Sequence, residues 1–282
     1  MPLTKAAEGL PEVWFETQGD QVRDPVVLLH GFTGTHRTWM KLRASLSPRH
    51  SVIVADLPGH GNTPAPQHPS EMGVSPTADS IARIIRTQTG KQVALLGYSL
   101  GGRVALDLAC RHQELLNCLI LEGASPGLER DEERQTRRAE DEALADEIEE
   151  KGLRWFVDYW EATDIMATQK ELSRQAFEEV RRERLSNTAK GLSMSLRAAG
   201  PGAMTSLWSA IEGIRIPVLL VVGKRDAKFS QIARAMQKKI QGSVVAEVEE
   251  AGHCVHVEKP DRFVEVVENF LADRPRSTGA AG

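Results

Sequence analysis

The residue in the sequence whose setting most clearly suggests chemistry is Ser99, within Gly97-Tyr98-Ser99-Leu100-Gly101-Gly102. It follows the apolar run QVALL and opens a helical pattern, so the turn should join a buried strand to a helix. A serine there must take a strained backbone, and the glycines beside it let neighbouring elements approach without a Cβ in the way. The outcome is an exposed hydroxyl at a helix N-terminus, with the N–H of Leu100 facing any negative charge that develops. Such a serine needs a base. Of the 8 histidines, His253 in Ala251-Gly252-His253 follows the last strand pattern, where a glycine turn would release it towards the serine. His60 competes, but it precedes Ser99 and lies in the loop Asp56-Leu57-Pro58-Gly59-His60-Gly61. Asp226 ends the run VLLVVGKRD and suits the carboxylate that fixes the imidazole's tautomer; the alternative is a turn aspartate paired with Arg225 or Lys228. The chain order is then serine, acid, histidine.

A second oxyanion donor should come from a loop after an earlier strand. His30-Gly31-Phe32-Thr33-Gly34 follows VVLL directly, which would set the N–H of Phe32 beside that of Leu100. Those glycines could instead be plain turn residues; a phosphate loop is a poor fit, since no Gly-Lys-Ser/Thr follows. His253-Cys254-Val255-His256, with Glu258 nearby, has H-x-x-H spacing. Without H-E-x-x-H or a second ligand cluster, no metal is expected.

The elements that must carry these residues alternate. Val26–Leu29, Val52–Ala55, Val93–Leu96 and Leu119–Leu121 read as strands apolar on both faces, as in a parallel sheet covered by helices on both sides. Helical patterns lie between them, as at Ser80–Thr89 and Arg103–Arg111, and strands resume at Val218–Val222 and Val244–Val248. A helix is expected from Pro260 to Leu271. This is a doubly wound α/β sheet, mostly parallel. From about Leu128 to Ala210 strand signals vanish and dense charge at helical spacing takes over. The spacing fits a purely structural helical bundle as well as a cap. Ligands of open α/β sheets bind beyond the strands' carboxyl ends, which favours a cap over the site. The expected division is a core of residues 1–127 and 211–273, a helical cap of 128–210, and a disordered tail of 274–282.

Bulk composition narrows the function. The 282 residues are 41% hydrophobic and 26% charged, an ordinary globular balance, and no apolar run approaches the roughly 18 residues of a membrane span. The opening MPLTKAAEGLPEVWF lacks a basic start followed by an apolar stretch, so no secretory signal is expected. The 3 cysteines form no CxxC pair and fit a reducing compartment. A net charge of -4 without a basic stripe argues against a nucleic-acid partner. The expectation is a cytoplasmic monomer or small homo-oligomer.

Together HGFTG, DLPGHG, GYSLGGR and AGH resemble the α/β-hydrolase superfamily along the whole chain. Leu121-Glu122-Gly123-Ala124-Ser125-Pro126-Gly127-Leu128, the following Glu133-Arg134, Arg103 after the serine turn, and Gly223–Phe229 make a narrower likeness. They are similar to the family of 2-succinyl-6-hydroxy-2,4-cyclohexadiene-1-carboxylate synthases of menaquinone biosynthesis. Enzymes of that family eliminate pyruvate from a polyanionic cyclohexene and hydrolyse no ester. The resemblance implies Ser99, Asp226 and His253 as a triad, with Phe32 and Leu100 as oxyanion donors. It further implies Tyr98, Arg103, Arg137, Arg184, Trp160 and Lys228 as contacts to a small polyanionic carboxylate, with no metal or organic cofactor. Asp164-Ile165-Met166 departs from the family, which often carries a proline and an aromatic residue there. Arg134, Arg137 and Arg138 compete for one cap position, and the likeness around Arg184 is a short R-x-S-N.

Arginine suits such a substrate because its planar fork grips a carboxylate through two donors. On a helix Arg130, Arg134, Arg137 and Arg138 share one side. Spacing alone fits solvated pairs with Glu133 or Asp141 as well, and Arg103 with Asp107; the resemblance favours substrate. Two rivals stand beside the lyase: a hydrolase of the same fold acting on an ester, thioester or carbon–carbon bond, and an inert ligand-binding relative.

Overall fold

The computed structural model describes residues 10–273; the tail expectation for 274–282 lies outside them. The order along the chain begins with β1 (Trp14–Gln18), β2 (Pro25–Leu29), α1 (Met40–Leu46), β3 (Ser51–Asp56), α2 (Val74–Gln88), β4 (Val93–Tyr98), α3 (Leu100–His112) and β5 (Leu116–Glu122). Next come three helices, α4 (Asp131–Ala162), α5 (Arg174–Arg184) and α6 (Ala189–Ala199). The chain then returns to the sheet with β6 (Val218–Gly223), α7 (Ala227–Lys239), β7 (Val244–Val248), α8 (Val255–Glu258) and α9 (Pro260–Ala272).

The strands make one 7-stranded sheet in the order β1-β3-β2-β4-β5-β6-β7, parallel except for β1, which runs antiparallel to β3. Alternation along each strand feeds two cores. Val27, Leu29, Ile53, Leu95, Leu119 and Leu220 point to the face covered by α2, α3 and α7, where Ile81, Val104 and Met236 meet them. Val26, Leu28, Val54, Leu96, Ile120 and Val221 point to the other face, against Trp39 and Leu42 on one side and Phe263 and Val267 of α9 on the other. Burial on both faces is why these strands are continuous apolar runs.

No strand occurs among residues 128–210; helices α4, α5 and α6 and a 3-10 turn at Asp164–Glu171 fill the segment. Their own core is Ala145, Ile148, Phe156, Leu192 and Leu196, and Phe32 of the β2 loop packs against it. Helix α4 is broken at Gly152, whose φ of 83° and ψ of 171° belong to a region that only glycine enters readily. No helix among the described residues is long and apolar enough to cross a membrane.

Candidate active site

Strand β4 ends at Tyr98, and Ser99 follows with φ 50° and ψ -105°, one of three non-glycine residues with positive φ among the described residues. A Cβ on Gly97 would strike the backbone of Gly101, and one on Gly101 would strike that of Leu29 and His30. Only glycine lets α3 start this close to the sheet. The N–H of Ser99 donates to the Glu122 carbonyl (2.8 Å) and that of Gly101 to the His30 carbonyl (3.0 Å). The N–H of Leu100, between them, has no acceptor among the described residues, and neither has that of Phe32.

His253 lies 3% exposed between Ser99 and Asp226. Its Nε2 stands 3.2 Å from Ser99 Oγ and its Nδ1 2.8 Å from Asp226 Oδ2. Asp226 also caps α7: its Oδ1 accepts from the N–H of Phe229 at 3.1 Å, so the helix N-terminus steadies the anion. The Phe229 ring packs on the imidazole at 4.4 Å between centroids. The structure therefore brings Ser99, His253 and Asp226 within hydrogen-bonding reach. His60 is elsewhere: buried beneath Phe32, it gives its Nδ1 to the Pro58 carbonyl, and burial, with His30 beside it, pushes it down to about 3. The two imidazoles of the H-x-x-H serve different carboxylates, His256 turning to Glu122 at 2.8 Å.

Above the serine lies a cavity of about 160 Å³. Phe32, Tyr98, Ser99, Leu100 and His253 line it, with Trp160, Ile165, Met166, Leu196 and Ile232 giving it apolar walls. Arg103, Arg137 and Lys228 line it too. Arg137 gives its Nε to Asp141 at 2.7 Å. Arg103 is different. Its side chain is buried, it donates to the Ala199 carbonyl at 2.6 Å, and no carboxylate among the described residues comes within ion-pair distance. Burial lowers its guanidinium to about 10, with Asp141 opposing that shift and Arg137 adding to it. Asp107, the neighbour one helical turn on, pairs with Arg111 instead. Burial also raises the Tyr98 phenol well above its ordinary value, which keeps it protonated.

Other expected contacts separate. Arg184 is buried beside a smaller adjoining cavity with Gln169, Glu183 and Cys254, and its charge is met by Glu161 (3.0 Å) and the Gln169 oxygen (2.6 Å). Arg130 pairs with Glu133 and Arg134 with Asp131, leaving Arg137 as the member of that series at the main cavity. The structure adds residues that sequence reasoning passed over. Asn187 Nδ2 donates to the Thr33 carbonyl (2.8 Å), and its Oδ1 accepts from the N–H of Gly61 (3.0 Å). Glu183 accepts from the N–H and Oγ1 of Thr35 at 2.7 and 2.9 Å. Both residues tie the helical segment to the loop that carries Phe32. Asn187 is the last residue of the R-x-S-N pattern, so a signal existed; Glu183 had none.

The model of the Alpha/beta hydrolase family matches residues 26–266, and the chain belongs to that family. A putative 2-succinyl-6-hydroxy-2,4-cyclohexadiene-1-carboxylate synthase of Bacillus subtilis is 38% identical over 90% of this chain and 92% of its own length. The synthase of that name from Yersinia enterocolitica is 31% identical over 88% of this chain and 86% of its own. The structure of MenH from S. aureus superposes with a TM-score of 0.88 at 32% identity, covering 92% of this chain and 97% of that one. Within the larger family, the chain is a member of the group these synthases form.

Proposed function

We infer that the protein is a lyase of menaquinone biosynthesis. It eliminates pyruvate from 2-succinyl-5-enolpyruvyl-6-hydroxy-3-cyclohexene-1-carboxylate to leave 2-succinyl-6-hydroxy-2,4-cyclohexadiene-1-carboxylate. The observation that carries the reading is Arg103, a buried cation with no carboxylate at ion-pair distance among the described residues, on the same cavity as Ser99. A neutral ester would leave only the more distant Asp141 to offset that charge, whereas a substrate with several carboxylates meets it directly. Arg137 and Lys228 extend the cationic side, and Trp160 and Ile165 give the ring an apolar wall.

In the mechanism proposed, Ser99 Oγ takes the proton from ring carbon 2, which is acidified by the adjoining succinyl ketone. His253 accepts the serine proton and Asp226 stabilises the resulting imidazolium. Negative charge gathers on the ketone oxygen, where the N–H groups of Phe32 and Leu100 meet it. The electron pair then forms the 2,3 double bond, the 3,4 double bond moves to 4,5, and the carbon–oxygen bond to the enolpyruvyl group breaks. The departing enolate becomes pyruvate when it takes up the proton. Residues 128–210 serve as the cap that closes over this chemistry. No disulfide joins Cys110, Cys118 and Cys254, which suits the reducing cytoplasm where we place the enzyme.

The test is a coupled pyruvate-release assay on wild type and Ser99→Ala, alongside p-nitrophenyl esters. Loss of pyruvate release in Ser99→Ala is expected. Fast ester turnover with no pyruvate release would hand the site to hydrolysis.

A further inference from the structure

The segment that presents His253 belongs to no strand and no helix: residues 249–254 bridge β7 and α8. Ala251 and Cys254 reach the second core, but Gly252 and His253 between them belong to neither core, and a shift of about 1 Å in a reacting group can slow a reaction about a hundredfold. Something must fix the backbone there. One carboxylate does so from the short helix that follows. Glu258, at the end of α8, accepts the N–H of Gly252 on one oxygen (2.6 Å) and the N–H of Cys254 on the other (3.2 Å). It thus grips the amides immediately before and after His253. A second carboxylate holds the next turn: Glu122, fully buried at the end of β5, accepts the N–H of His256 at 3.0 Å and its Nδ1 at 2.8 Å. His256 Nε2 in turn meets Thr38 Oγ1 at 2.7 Å.

We propose that Glu258 is a positioning residue for His253, its carboxylate fork setting the backbone from which the imidazole reaches both Asp226 and Ser99. The H-x-x-H-x-E run that imitates a metal motif is, on this account, a frame for one base. Its first histidine does the proton work, its second anchors the loop to Glu122, and its glutamate closes the loop on itself. A carboxylate suits the task because two acceptor oxygens on one rigid plane take two N–H donors that flank a single residue, and the charge strengthens both bonds. The inference rests on the reading of Ser99 and His253 as a working pair, but it does not depend on the identity of the substrate.

Two variants and two readouts test it. Glu258→Ala removes both acceptors; Glu258→Gln keeps the shape and one acceptor while turning an N–H₂ towards the other amide. Pyruvate release in Glu258→Ala should lose ten- to a hundredfold in kcat with KM within twofold of wild type. Labelling of Ser99 by a fluorophosphonate, which needs His253 but no natural substrate, should slow by a similar factor. Glu258→Gln should fall between the two. Should Glu258→Ala fail to fold, the folded Glu258→Gln protein carries the comparison. Labelling and turnover within twofold of wild type in a folded variant would overturn the proposal. If wild type released no pyruvate while the variants still labelled slowly, the lyase reading would fall and the role of Glu258 would stand.

Discussion

Replacing Arg103 by methionine should make the free protein no less stable while crippling it as an enzyme. The substitution keeps an unbranched stem of similar reach and removes the charge. Burial lowers the guanidinium from its ordinary value to about 10, and at about 1.4 kcal/mol per pH unit that is roughly 3 kcal/mol of strain on the charged form. Against this, methionine abandons the bond to the Ala199 carbonyl, and an unpaired buried carbonyl costs about 1–3 kcal/mol. The balance is between about 0 and 2 kcal/mol of added stability, a rise of up to roughly 6 °C in Tm for a domain of this size. Truncating one partner of a buried charge pair costs about 2–5 kcal/mol, so kcat/KM for pyruvate release should fall roughly 30- to 5,000-fold. Arg103→Lys, which keeps the charge but loses the fork, should lie between. The assay couples released pyruvate to NADH oxidation, with a thermal melt on the same preparation. A kcat/KM within threefold of wild type, or a loss of several degrees in Tm, would make Arg103 a structural tie and not an anion receiver.

Two further outcomes are expected. His60 is held near 3 when folded, so between pH 6.5 and about 3 the unfolded chain binds a proton that the native protein does not. Stability therefore falls with acidification by about 1.4 kcal/mol per pH unit from this group, and His60→Asn should flatten the slope of urea-unfolding free energy in that window; identical slopes would count against it. Asn187→Ala orphans the buried Thr33 carbonyl and leaves the exposed Gly61 N–H to water, so it should cost about 1–3 kcal/mol in denaturant unfolding. It should also lower kcat at least tenfold by loosening the seat of the Phe32 amide, and an unchanged kcat would show that the loop holds without it.

What the sequence made legible follows from range. The parallel strands were visible because burial on both faces leaves a run such as Val218–Gly223 wholly apolar. Strand β1 was not, since Trp14–Gln18 is short, half-exposed towards its end and antiparallel at the sheet's edge. The serine turn and Asp226 were readable because strand, turn and helix N-terminus are local signals that agree. The surroundings of Arg184 were not, because Glu161 and Gln169 reach it from separate elements and no spacing rule joins them. The same holds for Thr35 and Glu183, which are 148 residues apart. Polar ties of this kind depend on how whole elements dock, and docking is written in no short window of sequence.

Unbroken, the 32 residues of α4 would form a rod of about 48 Å. The break at Gly152 converts the rod into two levers: Asp131 to Lys151 bears Arg137, and Leu153 to Ala162 bears Phe156 and Trp160. A charged wall and an apolar wall of the cavity thus ride on separate mechanical parts. A change confined to the second lever would reshape the apolar wall while leaving the charged one in place.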